Sequence, residues 1–372
     1  MTDGLIPLPP ISTDSALKDV VPGLLQVLRG DSAMGFSPSR VAICWMIDGL
    51  GSLQLQEFAS EAPFLSRHVR GDIEAPFPCV TPVGVTTLAT GQLAGVHGVT
   101  GTSILVDGHR FHTLKWRPIQ WQTDLHFAAP PESLINDAAS DGLSVYFVAG
   151  TRETSSGLSS IVFSQAQRVA VGNADELAET VLSLSRSDHP TLINVYSREL
   201  DEAAHKSGVG SPEYLQVLRH LDAAAGRIAT GLPASSVMVI VADHGIVNYD
   251  PKQIIDVSQN PELRQGVRWV GGNTRARHVY AKATTAPAVV ERWRRILGDE
   301  RWVMSKEEAI ASGWFGSEVS EASRAHIGDV VVVDRKRGGI IEKPRPNSPL
   351  PVADHGSWID DERLVPLITI ER

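Results

Sequence analysis

The sequence predicts an α/β fold: a doubly wound, mostly parallel sheet with helices on both faces and an inserted cap region. Three observations predict it. Short β-branched runs recur along the 372 residues. Most of them give way to polar or glycine residues at their carboxyl ends. Stretches with apolar residues at helical spacing lie between them, and this alternation is how parallel strands joined by crossover helices read.

The first run is Val41–Ile47, followed by Asp48-Gly49-Leu50-Gly51. Runs at 144–148, 191–196 and 237–241 follow, and the last leads into Ala242-Asp243-His244-Gly245. A fifth, 329–333, has the same apolar character and is assigned to the same sheet. Ala174–Leu184 reads as a helix, as does 212–229, where Leu215, Leu218, Leu221 and Ala225 fall on one face. In such sheets ligands bind beyond the carboxyl ends of the strands, so acids delivered there are candidate site residues. Two segments break the rhythm. Residues 101–135 carry His109, Trp116, Pro118, Trp121 and Pro130-Pro131. Residues 251–314 carry a Gly271-Gly272 turn, the basic Arg275-Ala276-Arg277-His278 and a helical stretch at 288–297. Both read as insertions in one domain, because no internal repeat or Gly/Ser linker separates two.

A formal net charge of −9 argues against broad electrostatic binding to nucleic-acid polymers or anionic lipid. An anionic ligand must therefore be held locally. The N-terminus lacks a basic segment followed by a long apolar one, and no stretch approaches the ~20 apolar residues of a membrane span, so a soluble, cytoplasmic protein is expected. With only Cys44 and Cys79, neither a disulfide framework nor a cysteine zinc knuckle is suggested.

The chemistry-bearing residues lie on four pieces of sequence. Asp201 and His205 stand four apart in a helix-like stretch and share a face; alone, such a pair is commonly a surface contact. Asp243 and His244 are adjacent at a strand end, in a turn opened by Gly245. Asp48 also ends an apolar strand, where it reads either as a ligand or as a helix N-cap. His355, in Ala353-Asp354-His355-Gly356, reads alone as a turn residue. Together, three Asp and three His make two sets of oxygen and nitrogen donors of the kind zinc accepts. Two divalent cations would outweigh the three carboxylates and leave a positive site in an acidic protein, which suits a phosphate.

In this order the segments resemble the alkaline phosphatase superfamily, specifically its nucleotide pyrophosphatase/phosphodiesterase branch. The matching pieces are Ile43 through Gly51, Phe77-Pro78-Cys79-Val80-Thr81, Leu88-Ala89-Thr90-Gly91 with His97-Gly98, Asp201…His205, Asp243-His244-Gly245 and His355-Gly356. The resemblance implies an alkaline-phosphatase-like fold with two divalent metal ions, zinc by preference. Asp48, Asp243 and His244 would hold one ion with the Thr81 oxygen, and Asp201, His205 and His355 the other. Thr81 would be the nucleophile, forming a phospho-threonine intermediate, with a helix N-terminus adding N–H donors for a phosphoryl oxygen.

Two departures shape the expected substrate. Thr102 stands where the branch usually has an asparagine that contacts a phosphoryl oxygen, and no Arg or Lys lies near Thr81 in sequence, although Arg275, Arg277 or another loop could supply one. The sulfatase pattern is absent, since Cys79-Val80-Thr81-Pro82-Val83 has neither its proline spacing nor its arginine. The expected activity is hydrolysis of a small phosphodiester or nucleotide pyrophosphate. The alternatives are a phosphomonoesterase or phosphonate hydrolase with the same metals, and a metal-binding relative without catalysis. His97 is read as positioning the nucleophile helix, and Arg275, Arg277 and His278 as a solvated face or a lid contact.

Overall fold

A computed structural model describes residues 16–119, 131–342 and 350–372. The sequence reading of the N-terminal segment thus falls largely outside the described residues, as do Trp121 and Pro130. The central sheet has seven strands, in the order Val69–Glu74, Leu364–Glu371, Ser236–Val241, Val41–Ile47, Thr191–Ser197, Ser144–Ala149 and Gln167–Ala170. Six of these run in one direction, and Leu364–Glu371 alone is reversed, pairing antiparallel with Ser236–Val241 and Val69–Glu74. Every residue of Val41–Ile47 is buried, which is why that strand reads as a continuous apolar run and not as an alternating one.

Helices cover the sheet in two groups. Leu17–Leu28 packs on the central strand and on Thr81–Thr90, while Pro212–Gly231 packs with Ala174–Leu184 and Glu199–Ser207. The α/β, mostly parallel architecture is therefore as the sequence implied.

The run near 330 is a correction. Val330–Asp334 does not join the parallel sheet; it pairs antiparallel with Ala276–Ala281 and Arg301–Ser305 in a separate four-stranded sheet completed by Val267–Asn273. A short valine run satisfies a buried strand in either kind of sheet, so its composition could not say which. This second sheet buries Val289, Val290, Trp293 and Leu297 of the helix Ala286–Leu297 in a core of its own, with Val257, Leu263 and Val279. The 101–135 excursion holds a three-stranded antiparallel sheet, Ser103–Val106, His109–His112 and Arg117–Pro118.

Two buried histidines tie neighbouring segments together, His97 beside the helix Thr81–Thr90 and His278 between the second sheet and residue 100. His97 accepts a hydrogen bond on Nδ1 from Val99 N–H (3.2 Å), so Nε2 carries its proton toward Thr87 Oγ1 at 3.1 Å. His278 likewise accepts on Nδ1 from Gly328 N–H (2.9 Å) and donates from Nε2 to the Thr100 carbonyl (2.9 Å). Each needs a neutral ring, and burial lowers His97 to about 3 and His278 to about 4.

The unfolded chain, with histidines near 6.5, binds more protons than the folded one between pH 6.5 and these values. Stability is therefore full above pH 6.5 and falls as pH drops, with a limiting slope of about 1.4 kcal/mol per pH unit for each histidine. Chemical denaturation at stepped pH should show a shallower acid slope for His278→Gln than for wild type. An unchanged slope would mean that His278 titrates alike in both states.

Candidate metal and phosphoryl site

The site forms beyond the carboxyl ends of the parallel strands, as a doubly wound sheet requires. Asp48 leaves Val41–Ile47, and Asp243 and His244 leave Ser236–Val241. Asp201 and His205 lie on the helix Glu199–Ser207 that follows Thr191–Ser197. Thr81 opens the helix Thr81–Thr90. Gly84, one turn on, lets that helix seat against Asp243: a Cβ at this position would lie 2.4 Å from Asp243 Cβ. Gly49, at φ +78°, turns the chain beside Asp201. The N-cap of the next helix is Gly51, so Asp48 is not a helix cap.

All six sequence-predicted ligands converge. His244 Nε2 lies 3.4 Å from Asp48 Oδ1 and 3.4 Å from Asp243 Oδ2, and Thr81 Oγ1 is 3.4 Å from both Asp48 Oδ2 and His244 Nε2. Asp201 reaches His205 Nε2 at 3.3 Å through one oxygen and His355 Nε2 at 3.7 Å through the other. The His244 and His355 rings stack with centroids 3.6 Å apart, which brings the two sets side by side.

The histidines are oriented from behind. His205 Nδ1 contacts the Ala353 carbonyl (2.7 Å), His355 Nδ1 the Cys79 carbonyl (2.8 Å) and His244 Nδ1 the Gly245 carbonyl (3.1 Å). A carbonyl only accepts, so each Nδ1 carries a proton. Burial lowers His244 and His355 to about 4, which leaves their Nε2 lone pairs turned toward the carboxylates. Against its burial, the hydrogen bond and charge of Asp201 raise His205 to about 9, so its Nε2 holds a proton that a cation would displace. Asp48 Oδ1, Asp201 Oδ1 and Asp243 Oδ2 are buried with no hydrogen-bond partner. Buried acceptors facing lone pairs call for a shared cation. The donor set is what zinc binds, and Asp48, Asp243 and His244 form one compact triple. Around His355 two further triples overlap, one with Asp201 and His244 and one with His205 and Asp354.

The electrostatics agree. Burial, then the charges of Asp243 and Asp201, push Asp48 well above the usual carboxylate range, and burial with Asp201 raises Asp243 to about 6. Burial opposes ionisation of Asp201 too, but the hydrogen bond from His205 and the charges of His355 and His205 outweigh it and hold Asp201 at about 2.

Two residues at the site escaped the sequence reading. The Tyr196 hydroxyl donates to Asp48 Oδ2; its only signal was its place near the end of a predicted strand. Asp354 is gripped by the Tyr249 hydroxyl at 2.6 Å, and its signal was the repeat of Asp-His-Gly at 243–245 and 354–356. Thr102 is not gathered in: its carbonyl accepts from Thr113, and it does not line the cavity that opens at Thr81. The helix start is also poorer in donors than expected, because Pro82 has no N–H and the amides of Val83 and Gly84 donate to the Val80 carbonyl.

Nor is the basic run at 275–278 a solvated face or a lid. Arg275 and His278 are each 1% exposed, and Arg277 donates to the Ile340 carbonyl. The cations near Thr81 come from elsewhere. A cavity of about 410 Å³ runs from Thr81 and Asp48 past buried Val85, Leu88, Phe147, Leu158 and Phe163, and its lining includes Lys115, Arg117, Arg152 and Arg198. Arg198 is paired with Glu153 at 2.8 Å and Glu202 at 2.9 Å.

A mostly parallel sheet with Asp/His clusters and a threonine at its carboxyl edge is what the alkaline phosphatase superfamily leads one to expect, and the family match places the chain there. Within it, the chain belongs to the type I phosphodiesterase / nucleotide pyrophosphatase family, which matches residues 43–358. Solved structures share the fold at low identity. Murine ectonucleotide pyrophosphatase / phosphodiesterase 5 superposes with a TM-score of 0.69 at 13% identity, over 90% of this chain and 88% of that one. The human counterpart gives 0.68 at 15%, over 89% and 88%. Phosphonoacetate hydrolase from Sinorhizobium meliloti 1021, in complex with phosphonoformate, gives 0.65 at 18%, over 90% and 91%. A comparison with curated proteins finds no match. Family membership supports hydrolysis of phosphoester bonds as the activity. Among the described residues, no helix is long and apolar enough to cross a membrane.

Proposed function

We propose that this chain is a two-cation phosphodiesterase or nucleotide pyrophosphatase, zinc-preferring, with Thr81 as its nucleophile. The observation that carries this reading is the convergence of three histidine Nε2 atoms and three unpartnered carboxylate oxygens beside the Thr81 hydroxyl. Asp48, Asp243 and His244 would hold one cation, and Asp201, His205 and His355 the other. Two such ions would supply Lewis acidity toward the phosphoryl oxygens and lower the pKa of a hydroxyl or water beside them.

The chain's own groups do the rest. Thr81 Oγ1 forms the bond to phosphorus as the bond to the departing ester oxygen breaks, and the hydroxyl proton ends on the released alcohol. Water then cleaves the phospho-threonine and restores the hydroxyl. Tyr196, donating to Asp48 Oδ2, keeps that carboxylate turned toward Thr81. The apolar walls of the cavity take the organic arm of a small phosphate ester or nucleotide, and the cations of its lining take further anionic groups. No nucleic-acid polymer is required as substrate.

A specific observation favours a second reading. Lys115, Arg117 and Arg152 bring to the cavity the positive charge that a phosphomonoesterase or phosphonate hydrolase needs and that the sequence around Thr81 lacks, Arg198 being paired with Glu153 and Glu202. Steady-state kinetics on a bis-aryl phosphate diester and the matching aryl monoester separate the two. A kcat/KM at least about tenfold higher for the diester, some 1.4 kcal/mol of transition-state preference, is the expected result. The opposite order replaces the first reading by the second.

A further inference from the structure

The basic residue Arg275 and the acid Glu362 play no part in the chemistry above, yet together they form a buried ion pair directly behind the site. Glu362 is fully buried and Arg275 is 1% exposed. Arg275 Nε donates to Glu362 Oε1 at 2.7 Å, and its terminal nitrogens donate to the carbonyls of Gly338 and Lys336 at 2.5 and 2.6 Å. The second carboxylate oxygen, Glu362 Oε2, accepts from Ser357 N–H at 2.6 Å, two residues after His355. The Glu362 carbonyl accepts from Gly245 N–H at 2.8 Å, immediately after His244. One residue thus grips both histidine-bearing turns, and Arg275, beside the Val267–Asn273/Ala276–Ala281 turn of the second sheet, fixes that residue.

We propose that Glu362, held by Arg275, is a positioning residue that sets His244 and His355 together and so couples the affinities of the two cation subsites. The inference rests on the two-cation reading above. Its physical content is a count of acceptors. A carboxylate offers one oxygen to Arg275 and the other to Ser357, whereas the amide of a glutamine offers one oxygen and must turn an N–H toward one of these two donors. Glu362→Gln therefore releases either the arginine or the His355 turn, and because the carbonyl of the same residue holds Gly245 N–H, the shift of residue 362 carries the His244 turn with it. Partners behind metal ligands typically change metal affinity by 10–100-fold.

The test is zinc competition against a calibrated chelating dye, on full-length protein stripped and reloaded, for wild type and Glu362→Gln. Both zinc equivalents should weaken at least about tenfold in the variant. Should Glu362→Gln fail to fold, the double variant Arg275→Met/Glu362→Leu takes its place, since a buried ion pair replaced by apolar side chains is often tolerated. It too should fold and bind both equivalents weakly. Val289→Ala, in the core of the second sheet, serves as the control for general loosening and should keep wild-type zinc affinity within about twofold.

Wild-type affinity in the Glu362 variants overturns the proposal, as does weakening of one equivalent only, or equal weakening in Val289→Ala. If the wild type itself takes up no zinc, it is the two-cation reading that fails.

Discussion

Thr81→Ala is expected to abolish turnover of the diester, lowering kcat by at least about 10⁴-fold, the scale seen when a covalent nucleophile is removed. Zinc content should stay at the wild-type level, because the six Asp and His donors remain. The hydroxyl is only 3.4 Å from Asp48 Oδ2 and from His244 Nε2, and the truncation leaves a small gap without disturbing the helix that follows. Rapid acid quench of the wild type should trap phosphate on the protein, and none on the variant. Full turnover by Thr81→Ala would remove the covalent mechanism whichever substrate is correct, and would favour attack by water directly.

The second large effect is expected at Asp243. Elemental analysis of Asp243→Ala beside wild type should show about two zinc equivalents per chain falling to about one or fewer, with turnover lost in parallel. Asp243 is fully buried, accepts from Gly49 N–H at 3.4 Å through one oxygen and leaves the other without a partner. Asp243→Asn keeps the shape and removes the charge, so equal zinc loss in both variants assigns the effect to the carboxylate and not to packing against Gly84. No transition metal in the wild type, and none taken up on titration, would leave only the fold and family standing.

Much of this was legible before any coordinates. Four of the five apolar runs are parallel strands of the central sheet, because a strand buried on both faces must be apolar throughout and must end where the chain meets water. Asp48 and Asp243-His244 were readable for the same reason: acids placed right after such runs have few structural uses. Asp201 and His205 needed only helical spacing.

The failures share a cause. The run near 330 carries the same apolar signal as its neighbours, but the choice of sheet depends on pairing partners distant in sequence. Arg275 and His278 looked solvated because a basic run ordinarily is. Glu362, 87 positions away from Arg275, with the Gly338 and Lys336 carbonyls, and on His278 the Thr100 carbonyl with the Gly328 N–H, make their burial tolerable. Thr102 was assigned by position in a motif, and it is not among the residues that line the cavity at Thr81.

The sequence by itself determined the fold class and brought forward the six Asp and His donors, through hydrophobicity, spacing and chain turns taken together, while Thr81 as nucleophile candidate came from the resemblance that the ordered motifs carry. Only the tertiary structure decided which Nε2 faces which carboxylate, which cations line the cavity beside Thr81, and that a buried Arg275–Glu362 pair stands behind both histidine turns. Those are relations between segments far apart in the chain, fixed by packing and by the need of every buried charge for a partner.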